Sequence, residues 1–291
     1  RECRSDVCSS DLDPAGALQL IARHRVTTWT GVPTMYKRLA ALPTETVKAS
    51  DVSSIRALGV GAAPVPYELK KWIMDHFGHV LGEGYGATEV GMISFLPPEM
   101  QTKKPGSSGK PHLRVEISIR DPLGRELPPN QTGEIWIRTP VTIRQYLNAP
   151  PLGPDTLDAA GYFRVGDVGM LDHDGYLFIT DRAKDMIIAG GVNIYPAEIE
   201  AAVLRHPDVQ DVAVIGIPDD EFGEQVKAFC ELKPGHQCDE ASILEFCREH
   251  LASYKRPKSI SIVAELPRNT MGKLLKRELR EPYWKGRERN V

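Results

Sequence analysis

No apolar run in this 291-residue chain approaches the length of a membrane-spanning helix. Positive charge is not in excess either. Lys and Arg number 36 against 39 Asp and Glu, a net charge of −3, so the broad basic field that nucleic acid needs is missing. Cysteine is scarce, with five residues. Cys230, Cys238 and Cys247 lack metal-ligand spacing in the sequence and sit in apolar segments, so buried thiols in a reducing compartment are expected. No signal-peptide pattern, internal repeat or low-complexity tract is visible, and the expected location is cytoplasmic. What is present, 41% apolar and 26% charged residues, is the composition of a globular protein with length for two or three domains. A local basic cluster (Lys273, Lys276, Arg277, Arg280, Lys285, Arg287, Arg289) reads first as a solvated helix face, with a phosphorylated small ligand as the alternative.

Residues 1–12 are polar and unpatterned, and Asp6-Val7-Cys8-Ser9-Ser10-Asp11-Leu12 looks like a translated sequencing adapter. The segment is therefore expected to be an artefact and the natural N-terminal part to be missing. From residue 13 helix and strand alternate. Asp13-Pro14 starts a helix carrying Leu18 and Ile21, and Val26 to Thr30 reads as a strand. Pro33 opens a helix through Leu42, Ile55 to Val60 is a strand, and Pro66 to Phe77 is an amphipathic helix. A strand at His79–Leu81 leads into a glycine-rich turn at 82–86. This rhythm predicts a parallel sheet covered by helices, with ligands at the carboxyl ends of its strands. Residues 13–105 form that α/β part. Alternating Val115, Ile117, Ile119 and Ile135, Ile137 mark an antiparallel β unit over 106–183. A hinge is expected at 184–185, followed by a mobile α+β domain over 186–291. It should contain a hairpin around Gly190-Gly191, a helix from Pro196, a three-stranded mixed sheet, a helix capped by Asp239 and a last helix over 273–284.

Several residues could carry chemistry. Glu89, three residues after Gly86, can hold Mg²⁺ against phosphate oxygens, Thr88 can donate to the same phosphate, and Tyr85 can stack on a flat base; Thr88 and Glu89 could equally cap a helix. Asp167 can accept two ribose hydroxyls or be a turn aspartate. Arg182 can reach a ribose or phosphate or form a weak surface ion pair. Gly190 and Gly191 suit a channel wall, a hairpin turn, or both.

Taken in order, Gly84-Tyr85-Gly86-Ala87-Thr88-Glu89, Thr132-Gly133-Glu134-Ile135, Asp181-Arg182-Ala183-Lys184-Asp185 with Ala197-Glu198-Ile199-Glu200, and Pro267-Arg268-Asn269-Thr270-Met271-Gly272-Lys273 resemble the adenylate-forming superfamily. The resemblance covers residues 13 to 291 and leans toward bacterial fatty-acid and related CoA ligases. It implies that Gly61, Ala62 and Ala63 line the adenine and acyl sites, along with Gly84 and Gly86. Tyr85 and Ile179 would flank the base, Thr88 contact phosphate, and Glu89 hold the metal. Asp167 and Arg182 would bind the ribose, and Lys184 would be the hinge. Gly190 and Gly191 would border the CoA tunnel, and Lys273 would neutralise the charge between carboxylate and α-phosphate. The implied co-substrates are ATP with Mg²⁺, a carboxylic acid and coenzyme A. Trp29, Gly59 and Ala87, with Val32, suggest an apolar acyl pocket for a fatty or other bulky acid. Gly84 stands where a malonate-specific enzyme would use arginine.

The family's Ser/Thr/Gly-rich phosphate loop is not in this sequence, and Val165 stands where threonine is usual. The chain alone is therefore expected to be inactive. Other readings are an adenylation domain loading a carrier protein and a nucleotide-binding module without catalysis.

Overall fold

The computed structural model describes residues 12–269 and 273–286. The expectation for residues 1–12 falls almost wholly outside them. Two compact units separate between Ile179 and Thr180.

Unit 1 begins with helix α1 (Pro14–His24), where the Asp13 carboxylate accepts from the Ala15 amide at 3.1 Å and Pro14 takes the first helical position. Helices α2 (Pro33–Ala40), α3 (Thr44–Ala49) and α4 (Tyr67–Phe77) follow, interleaved with strands β1 (Thr28–Gly31) and β2 (Ala57–Gly61). Helix α3 was not expected: six residues with one buried apolar side chain, Val47, leave no period to read. Strand β3 (Leu81–Ala87) completes a parallel trio, β1-β2-β3. Then β4 (Gly91–Leu96) and β5 (Lys110–Pro111) return antiparallel, giving the order β1-β2-β3-β4-β5. The expected glycine-rich turn at 82–86 is thus a strand. The turn is Thr88–Val90, and it reverses the chain, which is why the sheet is not parallel throughout.

The helices cover one face of this sheet. Leu58, Val60 and Leu81 point into a core with Leu18, Ile21, Tyr36, Leu39, Ile73 and Phe77. The alternate positions form the other face, which is lined by Gly59, Gly61, Gly82 and Gly84. A second, antiparallel sheet runs β6 (Glu116–Arg120), β7 (Gly133–Arg138), β8 (Phe163–Leu171), β9 (Leu177–Arg182) in sequence order, as the alternation of isoleucines predicts. Its Ile119, Ile135, Ile137, Phe163 and Leu177 pack with Ile93 of β4 and with Val90 of the turn before it.

Unit 2 holds a mixed sheet of five strands rather than three. Strands β10 (Ile187–Ala189) and β11 (Val192–Ile194) form the expected hairpin, and β10 also pairs β13 (Gly223–Leu232). Strand β12 (Val209–Asp219) pairs β13 antiparallel, and β14 (Ser259–Val263) pairs it in parallel. The hairpin's connection to the main sheet is a single residue pair, Ala189 with Gly223, which no local pattern announces. Helices α5 (Pro196–Val203) and α6 (Glu240–His250) cover the sheet through Ile199, Val203, Ile243 and Cys247. Asp239 caps α6, accepting from the Ser242 amide at 2.8 Å. The last helix, α7 (Lys276–Trp284), starts three residues later than expected, so Lys273 lies before it. Both units are α/β, and among the described residues no helix is long and apolar enough to cross a membrane.

Candidate functional site

In unit 1 the expected site residues gather where β2, β3 and β8 present polar groups. Gly59 and Gly61 lie on β2, directly beside Gly82 and Gly84 of β3. A Cβ at Gly61 would run into the Gly84 carbonyl oxygen, and one at Gly59 would come 2.7 Å from Thr30 Oγ1. At Gly61, where the obstacle is backbone, glycine is therefore a steric requirement. Ala62, leaving β2, takes φ +67°, a left-handed conformation that costs an alanine about 1–2 kcal/mol. Ala63 follows it, half-buried.

Tyr85 and Asp167, 82 residues apart, meet. The Tyr85 hydroxyl donates to Asp167 Oδ2 at 2.5 Å, tying β3 of the first sheet to β8 of the second. Asp167 is buried, with 6% exposure, at the strand position after Gly166. Ile179 on β9 packs at the edge of the core that also takes in Tyr85 and Ala87.

Thr88 and Glu89 occupy the hairpin turn, Thr88 exposed and Glu89 half-buried. No helix begins there, which removes the capping alternative. Glu89 Oε1 accepts from the Tyr146 hydroxyl at 2.9 Å, and its carbonyl accepts from the Ile143 amide at 2.8 Å. Burial and the Glu89 carboxylate raise the Tyr146 pKa above its ordinary value, so the hydroxyl stays a donor. Among the described residues the other Glu89 oxygen has no protein partner. A Mg²⁺ ion held by one carboxylate, phosphate oxygens and water fits such a group. Tyr146 was missed in the sequence. Its only signal is an aromatic in a polar loop after Arg144-Gln145.

Trp29 is placed apart from this cluster. Its ring packs 4.9 Å from that of Tyr36, on the helix-covered side of the sheet, while Gly59 faces the other side. Val32 precedes α2. The Tyr36 hydroxyl donates to the Gly59 carbonyl at 2.9 Å, and burial raises its pKa.

Unit 2 carries the remaining residues. Lys273 is exposed beside a short bridge: Arg268 pairs with Leu274, the Lys273 amide donates to Asn269 Oδ1 at 2.9 Å, and the Asn269 amide donates back to the Lys273 carbonyl at 3.0 Å. Arg268 is anchored in turn on Asp211 of β12. Thr270, Met271 and Gly272 lie outside the described residues. Gly190 and Gly191 join β10 to β11 with φ +58° and +78°, the pair of left-handed residues that a tight hairpin turn demands. The Gly190 amide donates to the Phe222 carbonyl at 2.8 Å, and the exposed Phe222 ring lies against the same glycine.

Arg182 and Lys184 are exposed, while Asp181 and Asp185 between and beside them are buried. Asp181 accepts from the amides of Arg182 at 2.7 Å and Ala197 at 2.8 Å, and burial raises its pKa. Asp185 pairs with Arg280 at 2.6 Å. Burial works against its charge, but Arg280 and Lys276 hold its carboxyl below the ordinary value. Lys276 pairs with Glu200 at 2.7 Å. Burial opposes the ammonium, yet Glu200, Asp181 and Asp185 together raise its pKa above that of a free lysine. Part of the cluster that reads as a basic helix face is thus interior charge, joining α7 to the chain that leaves β9.

Comparison with known proteins gives the family and the fold. The profile described as AMP-binding enzyme matches residues 6–147, and that described as AMP-binding enzyme C-terminal domain matches residues 198–273. A feruloyl-CoA synthase of Amycolatopsis sp is 38% identical over 278 residues, which are 95% of this chain and 56% of that protein. The solved structure of a K483A mutant of the amide bond synthetase McbA from Marinactinospora thermotolerans superposes with a TM-score of 0.86 at 32% identity, over 94% of this chain and 56% of that one. The o-succinylbenzoate CoA synthetase MenE from Bacillus subtilis, solved with ATP and magnesium ion, superposes with a TM-score of 0.80 at 33% identity, over 92% and 54%. The chain spans about half the length of the proteins it matches.

Proposed function

The chain belongs to the AMP-binding enzyme family, and from that premise we propose that it is the nucleotide-binding and lysine-bearing part of an ATP-dependent acid–CoA ligase. In the first half-reaction a carboxylate oxygen attacks the α-phosphorus of ATP, giving an acyl-adenylate and diphosphate. In the second, the CoA thiol attacks the acyl carbon, AMP leaves, and the thiol proton passes to solvent. The observation that carries this reading is the Tyr85–Asp167 bond, which brings together from two sheets the aromatic that we assign to the base and the carboxylate that we assign to the ribose.

Two anionic reactants repel one another, so the chemistry rests on neutralising charge as it develops. When bound, Mg²⁺ would supply part of that neutralisation beside Glu89. Thr88, exposed on the same turn, donates to phosphate. Asp167, with Arg182 helping, fixes the ribose, while Tyr85 and Ile179 flank the base between Ala62, Ala63 and Gly86. Lys273 stabilises the charge between carboxylate and α-phosphate. It must withdraw before the thiol enters past Gly190 and Gly191, and Lys184 is the pivot of that movement. The acid is apolar and bulky, whether fatty, alicyclic, a steroid side chain or aromatic, and the reaction takes place in the cytoplasm.

The test uses the full-length gene. A panel of acids is supplied with ATP, with and without CoA, and products are read by mass spectrometry. CoA thioesters are expected; adenylate accumulating unchanged in the presence of CoA would point to a carrier-protein or amine acceptor. Lys273→Ala should slow adenylate formation by about a hundredfold or more, while thioester formation from supplied acyl-adenylate survives. Equal loss of both steps would overturn the role of Lys273. The 291-residue chain alone should give little ATP–diphosphate exchange.

A further inference from the structure

Two loops of unit 2 bring together side chains that nothing above uses. His206, Pro207 and Asp208 precede β12, and residues 233–239 connect β13 to α6. Because β12 and β13 pair antiparallel, with Val209 opposite Leu232, both loops emerge at one end of the sheet. They are pinned there. The Lys233 amide donates to the Asp208 carbonyl at 2.9 Å, Lys233 Nζ donates to the Pro207 carbonyl at 2.5 Å, and the His236 amide donates to the Lys233 carbonyl at 3.0 Å.

Within this frame the ligand atoms of His206, Asp208 and Cys238 lie within 4.8 Å of one another. His206 is 5% exposed, its ring edge-on to Phe246 at 5.1 Å. Its Nδ1 accepts from the Asp208 amide at 3.3 Å, which makes Nδ1 the bare nitrogen of the ring, and it lies 4.0 Å from Asp208 Oδ2. The other oxygen, Oδ1, is 2.7 Å from His236 Nδ1. Among the described residues no lysine or arginine pairs with this carboxylate; the side chains within reach of it are the two histidines. One imidazole, one carboxylate oxygen and one thiol therefore converge, with a second histidine steering the carboxylate from behind.

We propose that His206, Asp208 and Cys238 form a binding site for a divalent transition metal ion of the zinc type, with His236 as a positioning residue. Imidazole, carboxylate and thiolate are the ligand set that zinc takes, at about 2.0–2.3 Å from each donor. Donors in such a shell stand about 3.3–3.8 Å apart, so side-chain rotations of about an ångström close it. A hydrogen bond from His236 to the ligating carboxylate is the outer contact that orients metal ligands. The fourth position is left to water. Binding exchanges the Cys238 S–H bond for a sulfur–metal bond, and the proton goes to solvent. The site joins the loops at one end of the β12–β13 pair, and none of the residues assigned above to nucleotide, acid or CoA belongs to it.

The test uses the whole chain with Cys3 and Cys8 replaced by serine, so that the described thiols are Cys230 and Cys247, both buried in the core, and Cys238. Titration with Cd²⁺ should give a thiolate-to-metal absorption band saturating at one equivalent, and Zn²⁺ should displace it. Cys238→Ser should abolish the band, and Asp208→Asn should weaken affinity by about tenfold to a hundredfold. His206 is packed inside, so His206→Asn is read only after circular dichroism shows a folded chain; the Cys238 and Asp208 variants decide without it. Absence of a saturable band, or a band unchanged in Cys238→Ser, would overturn the site.

Discussion

The glycine rim of unit 1 and the charge cluster of unit 2 solve opposite problems. At the rim, Gly59, Gly61, Gly82 and Gly84 carry no side chains on one sheet face, which brings the Gly84 carbonyl close to Gly61 and leaves room for the Phe95 ring over Gly82 and Met92 over Gly84. At the cluster, the Lys276–Glu200 and Arg280–Asp185 pairs, mostly withdrawn from solvent, lie with the buried Asp181. Space is specified by what is missing, and anchorage by what is paired. The first is written in adjacent residues; the second joins positions up to 95 residues apart.

The comparison breaks first at Lys276. Lys276→Met leaves Glu200 and Asp181 buried without their cation, and losing one partner of an interior ion pair costs about 3–5 kcal/mol. Amide exchange in β12 and β13 of the whole chain should accelerate accordingly. A change below about 1 kcal/mol would mean that the carboxylates find water instead.

Glycine comes next. At Gly61 an added methyl group meets the backbone oxygen of Gly84, which cannot rotate away. Gly61→Ala should destabilise unit 1 by about 1–3 kcal/mol, the usual range for overpacking. Gly191→Ala meets nothing within 4 Å and carries only the strain of φ +78°, about 1–2 kcal/mol. Urea midpoints and amide exchange compare the two, and a larger loss at Gly191 would sink the steric account of the rim.

The cluster also sets an acid response. The Asp185 carboxyl is held below its ordinary value, so its contribution is complete above the unfolded carboxylate pKa of about 3.9 and is lost as pH falls through the folded value. Asp181 is raised by burial, so its contribution is present in acid and is lost as pH rises through its folded pKa. Asp185→Asn should flatten the acid limb of the stability curve below about pH 4, and Asp181→Asn the limb above it. Stability measured by urea at a series of pH values separates the two, and identical curves would refute the assignment.

This difference explains what was legible. Tyr85, Thr88 and Glu89 are neighbours of the glycines in sequence, so the segment could be read as one motif although its glycines form a strand and not a turn, and the isoleucine alternation of β6 and β7 pointed to the second sheet directly. The hairpin β10–β11 was legible from Gly190-Gly191, but not its pairing to β13, which rests on one residue pair. Helix α3 is too short to show a period. Lys276 and Arg280 looked like surface charge because their partners, Glu200 and Asp185, lie far upstream. Cys238 looked like an isolated thiol because His206 and Asp208 approach it only through the fold of β12 on β13.

Tyr146 tests whether the rim is as lightly held as its geometry implies. Its hydroxyl is the one side-chain donor to Glu89 among the described residues, and both groups are partly solvated. Tyr146→Phe should therefore cost no more than about 0.5–1.5 kcal/mol of stability, the net value of a single hydrogen bond. The functional effect should be separate from this. Under the role proposed above for Glu89, its carboxylate, freed of this donor, samples more rotamers, and the full-length protein should need more magnesium to reach half-maximal formation of the proposed adenylate. The maximal rate at saturating magnesium should change little. If the magnesium requirement is unmoved while stability falls, Tyr146 is a packing residue of the loop after β7 and the rim orders Glu89 without it.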